Sequence, residues 1–356
     1  MARTPMVSVC VPSYNHARFL AATLESILSQ TFRNLELVAV DDGSTDNSLE
    51  ILRSYACKYP EIVRVFTHPG RQNLGITVTE NLAIEEARGL YWCGHDSDDV
   101  SCPDRLERQV AFMEGHPNVG WVYGVAEYID KDGAQLRGQM GQDLSAISDL
   151  AEELILQNTI AAPTVMVRMK CMKEAGPFEP GLTYGDWEMW IRLAARYPSA
   201  FLPGAVVRYR CHEYNTSMSF PQPEDRVRSR KDIGHHLDVV ISLRRKADTA
   251  GGQLGRPRKK ALLDLRRAAL HLLLDDREAA SLAVAAAFRS DPTLRSDLAD
   301  LAHWLSRFER LRLGLMTVRE LGFPPRWLGD KVFASTIVRL GANRLRRFFW
   351  REGRTD

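Results

Sequence analysis

No stretch of this 356-residue chain approaches the roughly 18–20 uninterrupted apolar residues that cross a bilayer, so no membrane-spanning helix is expected. Cysteines are few, and Cys10, Cys57, Cys93, Cys102, Cys171 and Cys211 form no CxxC pair. Several sit within apolar strand-like runs, so buried free thiols are expected rather than disulfides or a zinc site. The chain reaches Val7-Ser8-Val9-Cys10-Val11 without the charged start, apolar stretch and small-residue cleavage site of a secretory signal, and a cytoplasmic location is the expectation. The turn after this first apolar run has no GxGxxG, which excludes a dinucleotide oxidoreductase. The turn reads Pro12-Ser13-Tyr14-Asn15, which is also not the Gly/Arg-rich pyrophosphate loop of a nucleotidylyltransferase.

What is present is ordinary globular material, 45% hydrophobic and 26% charged, against wholesale disorder. The net charge of +2 hides an asymmetry: from Glu224 onward there are 28 Lys/Arg against 17 Asp/Glu, and before it 19 against 28. An acidic first part suits a divalent-cation site. A basic tail suits an anionic membrane surface or a protein partner, and equally a solvated helical face.

Short β-rich runs alternate with helical patterns through the first hundred residues. Strands are expected at 7–12, 35–41, 62–67 and 90–95, with helices at 17–30, 46–59 and 75–88. This alternation predicts a mostly parallel, doubly wound α/β sheet, which binds ligands beyond the carboxyl ends of its strands. Beyond Pro103 a helix (104–114), strands (119–129, 164–168, 205–210) and a helix (187–197) follow, with Asp130-Lys131-Asp132-Gly133 as hairpin turn. Pro221-Gln222-Pro223 marks a boundary between domains 1–222 and 223–356. The second is expected to be helical, with helices at 225–248, 259–274, 277–289 and 294–314. Another amphipathic stretch, 331–351, is suited either to packing on those helices or to lying on a membrane.

Three strand ends carry polar residues: Pro12-Ser13-Tyr14-Asn15, Asp41-Asp42-Gly43-Ser44 and His95-Asp96-Ser97-Asp98-Asp99. Asp96-Ser97-Asp98 offers two oxygen ligands for a hard cation such as Mn²⁺ or Mg²⁺, of the kind that bridges a diphosphate. Asp99 is read as a local cap for the following helix. Ser44 or Thr45 is read as the cap of the helix after the second strand. Capping does not require two adjacent acids there, leaving one of Asp41 and Asp42 to accept from a base N–H or a ribose hydroxyl.

The order and spacing of Val11-Pro12-Ser13-Tyr14-Asn15, Gln30-Thr31-Phe32, Val40-Asp41-Asp42-Gly43-Ser44-Thr45-Asp46, Asn73-Leu74-Gly75 and His95-Asp96-Ser97-Asp98-Asp99 with Pro103 cover residues 6–215. In these motifs the chain resembles the inverting glycosyltransferases of family 2. The resemblance implies a GT-A fold, Rossmann-like with a mixed central sheet, followed by an α-helical C-terminal region. It implies a nucleotide-sugar donor, a carbohydrate or glycoconjugate acceptor, Mn²⁺ or Mg²⁺, and no nucleic acid. By that similarity Pro12, Tyr14 and Asn15 line the nucleotide pocket and Asp42, next to Asp41, reads the base. Asp96 and Ser97 approach the ribose or sugar, Asp98 ligates the metal, and His212 lies near metal or diphosphate. The same resemblance makes Asp186 the general base, with Glu188 as second candidate; the bland reading of Asp186 is a helix N-cap. Glu80-Asn81 stands where many relatives have Arg-Asn, leaving Arg71 as a substitute. The Gln/Arg-x-x-Arg-Trp signature of processive synthases is absent, which points to single addition. A catalytically silent nucleotide-sugar-binding protein or scaffold is the alternative.

Overall fold

Strand β1 (Val7–Ser13) is buried at every position, as is β2 (Leu35–Asp41), and both are mostly apolar, with buried Ser8 Oγ donating to Glu36 Oε1 at 2.7 Å between them. A strand looks like this when helices cover both faces of a parallel sheet. In the computed structural model, which describes residues 4–292 apart from 157, 214, 216–224, 250–252 and 275, those helices are α1 (Ala17–Leu28), α2 (Ser48–Lys58) and α3 (Ile76–Glu86). Helix α1 buries Phe19, Leu20, Thr23, Leu24 and Ile27, one stripe at helical spacing.

Strands β3 (Val63–Thr67) and β4 (Tyr91–Gly94) complete the parallel part, in the order β3-β2-β1-β4. After β5 (Val100–Ser101) and α4 (Arg105–Gly115), strand β6 (Trp121–Ile129) enters the same sheet. It forms the expected hairpin with β7 (Gln135–Met140), whose turn is held by Asp130 Oδ1 accepting from the Asp132 and Ala134 N–H groups at 2.9 Å. Helix α5 (Leu150–Leu156), strand β8 (Met166–Arg168), helices α6 (Met169–Ala175) and α7 (Gly185–Ala194) and strand β9 (Ser199–Arg210) follow. The sheet continues from β4 as β8-β6-β9-β5, with β8 antiparallel to both its neighbours and β9 parallel to β6. The second half of the sheet is therefore mixed, unlike the parallel first half.

Strand β9 begins six residues before the expected start at 205. Pro203-Gly204 reads as a chain breaker in the sequence, but here lies against two register shifts in the β6–β9 pairing, with Gly204 at φ +80. A bulge admits residues that regular pairing rejects.

By its internal contacts the chain separates into two compact units, one of Met1–Leu154 with Asn158–Ser229, the other of Ile155–Gln157 with the chain from Arg230. The second contains α8 (Asp225–Thr249) from Arg230 on, α9 (Pro257–Leu273) and α10 (Arg277–Ser290), close to the expected spans. Helices α9 and α10 pack together through small residues, Ala261 and Ala268 on one and Ala280, Ala283 and Ala287 on the other, all buried. Asp276 caps α10 by accepting from the Ala279 N–H, and buried Asp264 accepts from Arg244 Nε at 2.9 Å. Segments 294–314 and 331–351, and the Pro221-Gln222-Pro223 boundary, lie outside the described residues. Among those described, no helix is long and apolar enough to cross a membrane.

Candidate active site

Parallel pairing of β1 with β2 and β4 brings the three polar strand ends to one edge of the sheet. Ser13 stands opposite Asp41, the Asp42 N–H donates to the Ser13 carbonyl, and the His95 N–H donates to that of Cys10. The loops beyond are cross-tied. Asn15 takes a left-handed conformation (φ 54), its N–H donates to Ser44 Oγ at 3.0 Å, and its side-chain oxygen accepts from the Thr45 N–H at 2.8 Å. Asp46 accepts from the N–H groups of Ala17 and Ser48, joining the starts of α1 and α2. The expected cap thus moves: Asp46 takes the first-turn N–H of α2, because Ser44 and Thr45 are engaged with Asn15. Pro12 is buried beneath this junction, whereas Tyr14 is 45% exposed above it.

Asp41 and Asp42 behave differently. Both oxygens of Asp42 accept from loop N–H groups, Leu74 at 2.8 Å and Gly75 at 3.0 Å, with His68 Nε2 at 3.4 Å. Asp41 accepts from the Ser44 N–H through Oδ2, while its buried Oδ1 has no hydrogen-bond partner among the described residues. Between them and the 71–73 loop there is room only for glycine at 43, where φ is +75 and an added Cβ would meet the Arg71 carbonyl oxygen at 2.6 Å and the Asn73 nitrogen at 2.9 Å. Gly43→Ala is therefore expected to cost about 1–3 kcal/mol in strain. A thermal melt lower by several degrees would show this; an unchanged melt would mean that the loop yields freely. Arg71 lies beside the same loop, its guanidinium 3.4 Å from the Ser44 carbonyl.

The segment after β4 is built on buried supports. Arg105, fully buried, donates to the Gly94 carbonyl at 3.0 Å and reaches Ser101 and Gln109. Thr23 Oγ1 donates to the carbonyls of Ser97 and Asp99, and Arg210 Nε to that of Asp98 at 2.7 Å. Asp99 is not a helix cap: its Oδ1 accepts from the Arg210 N–H at 2.8 Å and ties the end of β9 to this loop. His95 is sealed beneath, where burial and the nearby Arg105 charge push its pKa down to about 3, so it stays neutral.

On this support Asp98 meets two imidazoles. Asp98 Oδ2 lies 2.9 Å from His212 Nε2 and 3.9 Å from His16 Nε2. Burial raises the Asp98 carboxyl, but the hydrogen bond with His212 and the neighbouring His16 outweigh it and hold the pKa below the ordinary value. His212 is stacked on Phe19 with ring centroids 4.6 Å apart, and its N–H donates to Asn215 Oδ1. Ser97, buried, places its hydroxyl 2.7 Å from His16 Nδ1. These atoms of His16, Asp98 and His212 form the one cluster of potential metal ligands among the described residues. The donor set, two imidazoles and a carboxylate, fits a divalent cation.

A second group of acids adjoins the first. Asp96 is pushed up to about 7 by burial and by the charges of Asp98 and Asp186, while burial also raises Asp186. Asp186 lies in the first turn of α7, hydrogen-bonded by Asn158 and by the N–H groups of Asp186 itself and Trp187. It is not the N-cap of that helix, since the turn is entered at Tyr184 and the helix already includes Asp186. Glu188 is fully buried in an ion pair with Arg192 at 2.8 Å, which removes it as a base candidate. Glu80 completes the group, and burial, Asp96 and Asp186 raise its pKa well above the ordinary value. A raised folded pKa stabilises below the unfolded value and loses that contribution as pH rises through the folded one. In metal-free protein Glu80→Gln should thus gain thermal stability over the wild type as pH rises from about 5 to about 8. Parallel Tm–pH curves would show that Glu80 holds no extra proton.

The structure therefore gathers Asp96, Ser97, Asp98, Asp186 and His212 at neighbouring positions, and Tyr14 with Asp41 and Asp42 along the same sheet edge. Asn15 serves the loop junction. His16 and Glu80 also lie in these groups; the sequence flags Glu80 only as a departure from the family pattern and does not single out His16. His16 directly follows the Pro12–Asn15 motif, a placement that could have flagged it.

Residues 8–169 match the description Glycosyl transferase family 2. That match spans just under half of the chain. The chain is 29% identical over 212 residues to an uncharacterized glycosyltransferase of Rickettsia felis, covering 58% of this chain and 34% of that relative. It thus spans about a third of that relative's length. Among solved structures it resembles S. aureus TarS 1-349 in complex with UDP-GlcNAc, with TM-score 0.56, 20% identity, and 96% and 92% of the two chains covered. It also resembles the mannosyltransferase PcManGT of Pyrobaculum calidifontis in complex with GDP-Man and Mn²⁺, with TM-score 0.54, 19% identity, and 96% and 88% covered. The fold is GT-A, a mixed sheet with flanking helices.

Proposed function

We propose that this chain is a metal-dependent inverting glycosyltransferase that moves a sugar from a nucleotide-diphosphate sugar, a UDP-sugar first among them, to an acceptor hydroxyl. Synthesis of a surface polysaccharide or glycoconjugate is the matching biological role. The observation that carries the reading is the pairing of a cation-ligand group at Asp98 and His212 with a separate carboxylate at Asp186, on one edge of a GT-A sheet. Bound nucleotide sugars in TarS and PcManGT, and Mn²⁺ in the latter, support it.

In this reading Asp98 and His212 hold Mn²⁺ or Mg²⁺, which when bound neutralises charge on the departing nucleoside diphosphate. Tyr14 offers its exposed ring at the nucleotide end, above Pro12. Of the two strand-end acids, Asp41 has the acceptor oxygen left over for a base N–H, since Asp42 has both oxygens on the 74–75 loop. Asp96 and Ser97 lie on the sugar side. Asp186 takes the proton from the acceptor hydroxyl as its oxygen bonds to the anomeric carbon and the anomeric C–O bond to the diphosphate breaks, inverting the configuration. Burial raises its pKa, which strengthens it as a base near neutral pH. A screen of nucleotide sugars for hydrolysis or transfer, with Mn²⁺, with Mg²⁺ and with chelator, tests this. Turnover of no donor under any condition would favour a silent binding protein.

A further inference from the structure

The His16–Asp98 spacing is not that of a hydrogen bond. At 3.9 Å the pair is beyond donor–acceptor range, yet both atoms belong to a group in which one ligand atom from each of His16, Asp98 and His212 lies within 4.8 Å of the others. Two ligand atoms each about 2.0–2.2 Å from one cation lie roughly 2.9–4.4 Å apart, depending on the angle between them. The 2.9 Å between His212 and Asp98 and the 3.9 Å between His16 and Asp98 both fall in that interval.

We propose that His16 is a third protein ligand of the cation, completing a two-histidine, one-carboxylate set, and that this set makes the site selective for a first-row transition ion such as Mn²⁺ over Mg²⁺. The inference rests on the proposed cation site and adds to it a ligand and a preference. Three features carry it. His16 stands at the entry to α1, its N–H fixed by Ser48 Oγ at 3.0 Å, so the backbone bearing the ring is anchored. Its Nδ1 lies 2.7 Å from Ser97 Oγ. With Nδ1–H donating to that oxygen, the Nε2 lone pair faces Asp98, which is how metal-bound imidazoles are commonly oriented. The imidazole side chain also remains 24% exposed, open to an incoming ion. Mg²⁺ favours oxygen ligands and gives up water reluctantly, whereas imidazole suits transition ions, so two nitrogen ligands separate the two classes.

The test uses the full chain, stripped of metal and free of nucleotide. Calorimetric titration with MnCl₂ and with MgCl₂ is expected to show Mn²⁺ binding at least about tenfold more tightly. Electron spin echo envelope modulation of the Mn²⁺ complex is expected to show two coordinated imidazole nitrogens. His16→Gln should leave one and weaken Mn²⁺ by about 10–100-fold, the scale of loss seen when a metal site loses support, with Mg²⁺ changed far less. A single imidazole nitrogen in the wild-type complex, a measurement that needs no variant, would overturn the role of His16. So would unchanged Mn²⁺ affinity in folded His16→Gln. Those outcomes leave the proposed transferase intact if Mn²⁺ still binds through His212. Loss of every histidine signal, with transfer indifferent to chelator, would remove the cation site itself.

Discussion

Asp186→Asn is expected to lower kcat by about 10²–10⁴-fold, the usual contribution of a general base, while leaving UDP affinity close to wild type. Asparagine keeps the shape and one acceptor oxygen for the surrounding donors, so the fold should survive, but it cannot take a proton. The wild-type pH profile gives an independent check. Because burial raises the Asp186 pKa, the base is available above that raised value and activity is lost as pH falls through it. The acidic limb of kcat should accordingly lie above the ordinary carboxylate range. Single-turnover transfer rates and UDP calorimetry on the two proteins decide the matter. Equal loss of binding and rate would make Asp186 a structural or donor-binding residue instead.

The second large effect is expected at Asp98. Asp98→Ala removes the carboxylate that both imidazoles approach, so the gain in UDP affinity on adding Mn²⁺ should disappear, leaving the weaker metal-free affinity. Titration of UDP with and without Mn²⁺ measures this. If the wild-type protein binds UDP equally well in both conditions, Asp98 has no cation role. The Asp98 backbone carbonyl still accepts from Arg210, so the loop retains one of its principal supports in the variant. The two variants should therefore fail differently: Asp186→Asn at the reaction and Asp98→Ala at the donor.

Much of this was legible in the residues. The apolar runs of β1 and β2, the amphipathic stripe of α1 and the Asp130–Gly133 turn are local signals, and each element formed close to its expected place. The early start of β9 was hidden because Pro203-Gly204 has the same local appearance whether it ends a strand or bulges it; pairing with β6 decides. The short helices α5 and α6 also went unseen, since seven residues give too few turns for a helical period to show.

The site divides along the same line. The gathering of acids at one edge of the sheet followed from sequence order, because consecutive βα units in a parallel sheet bring their carboxyl ends together. Which acid does what did not follow. Asp41 and Asp42 are chemically alike and adjacent, and only the approach of the 74–75 loop engages one and leaves an oxygen of the other unmatched. Glu188 lies two residues from Asp186, and only the position of Arg192 one helical turn later locks it away. His16, Asp98 and His212 are far apart in the chain, and only the folding of β9 against β5 and β6 carries His212 to the other two. The sequence by itself determined the sheet, its polar edge and the kinds of group available there. The tertiary structure decided their partners, because burial and distances of a few ångströms set the charge and reach of a carboxylate, and neither is encoded locally.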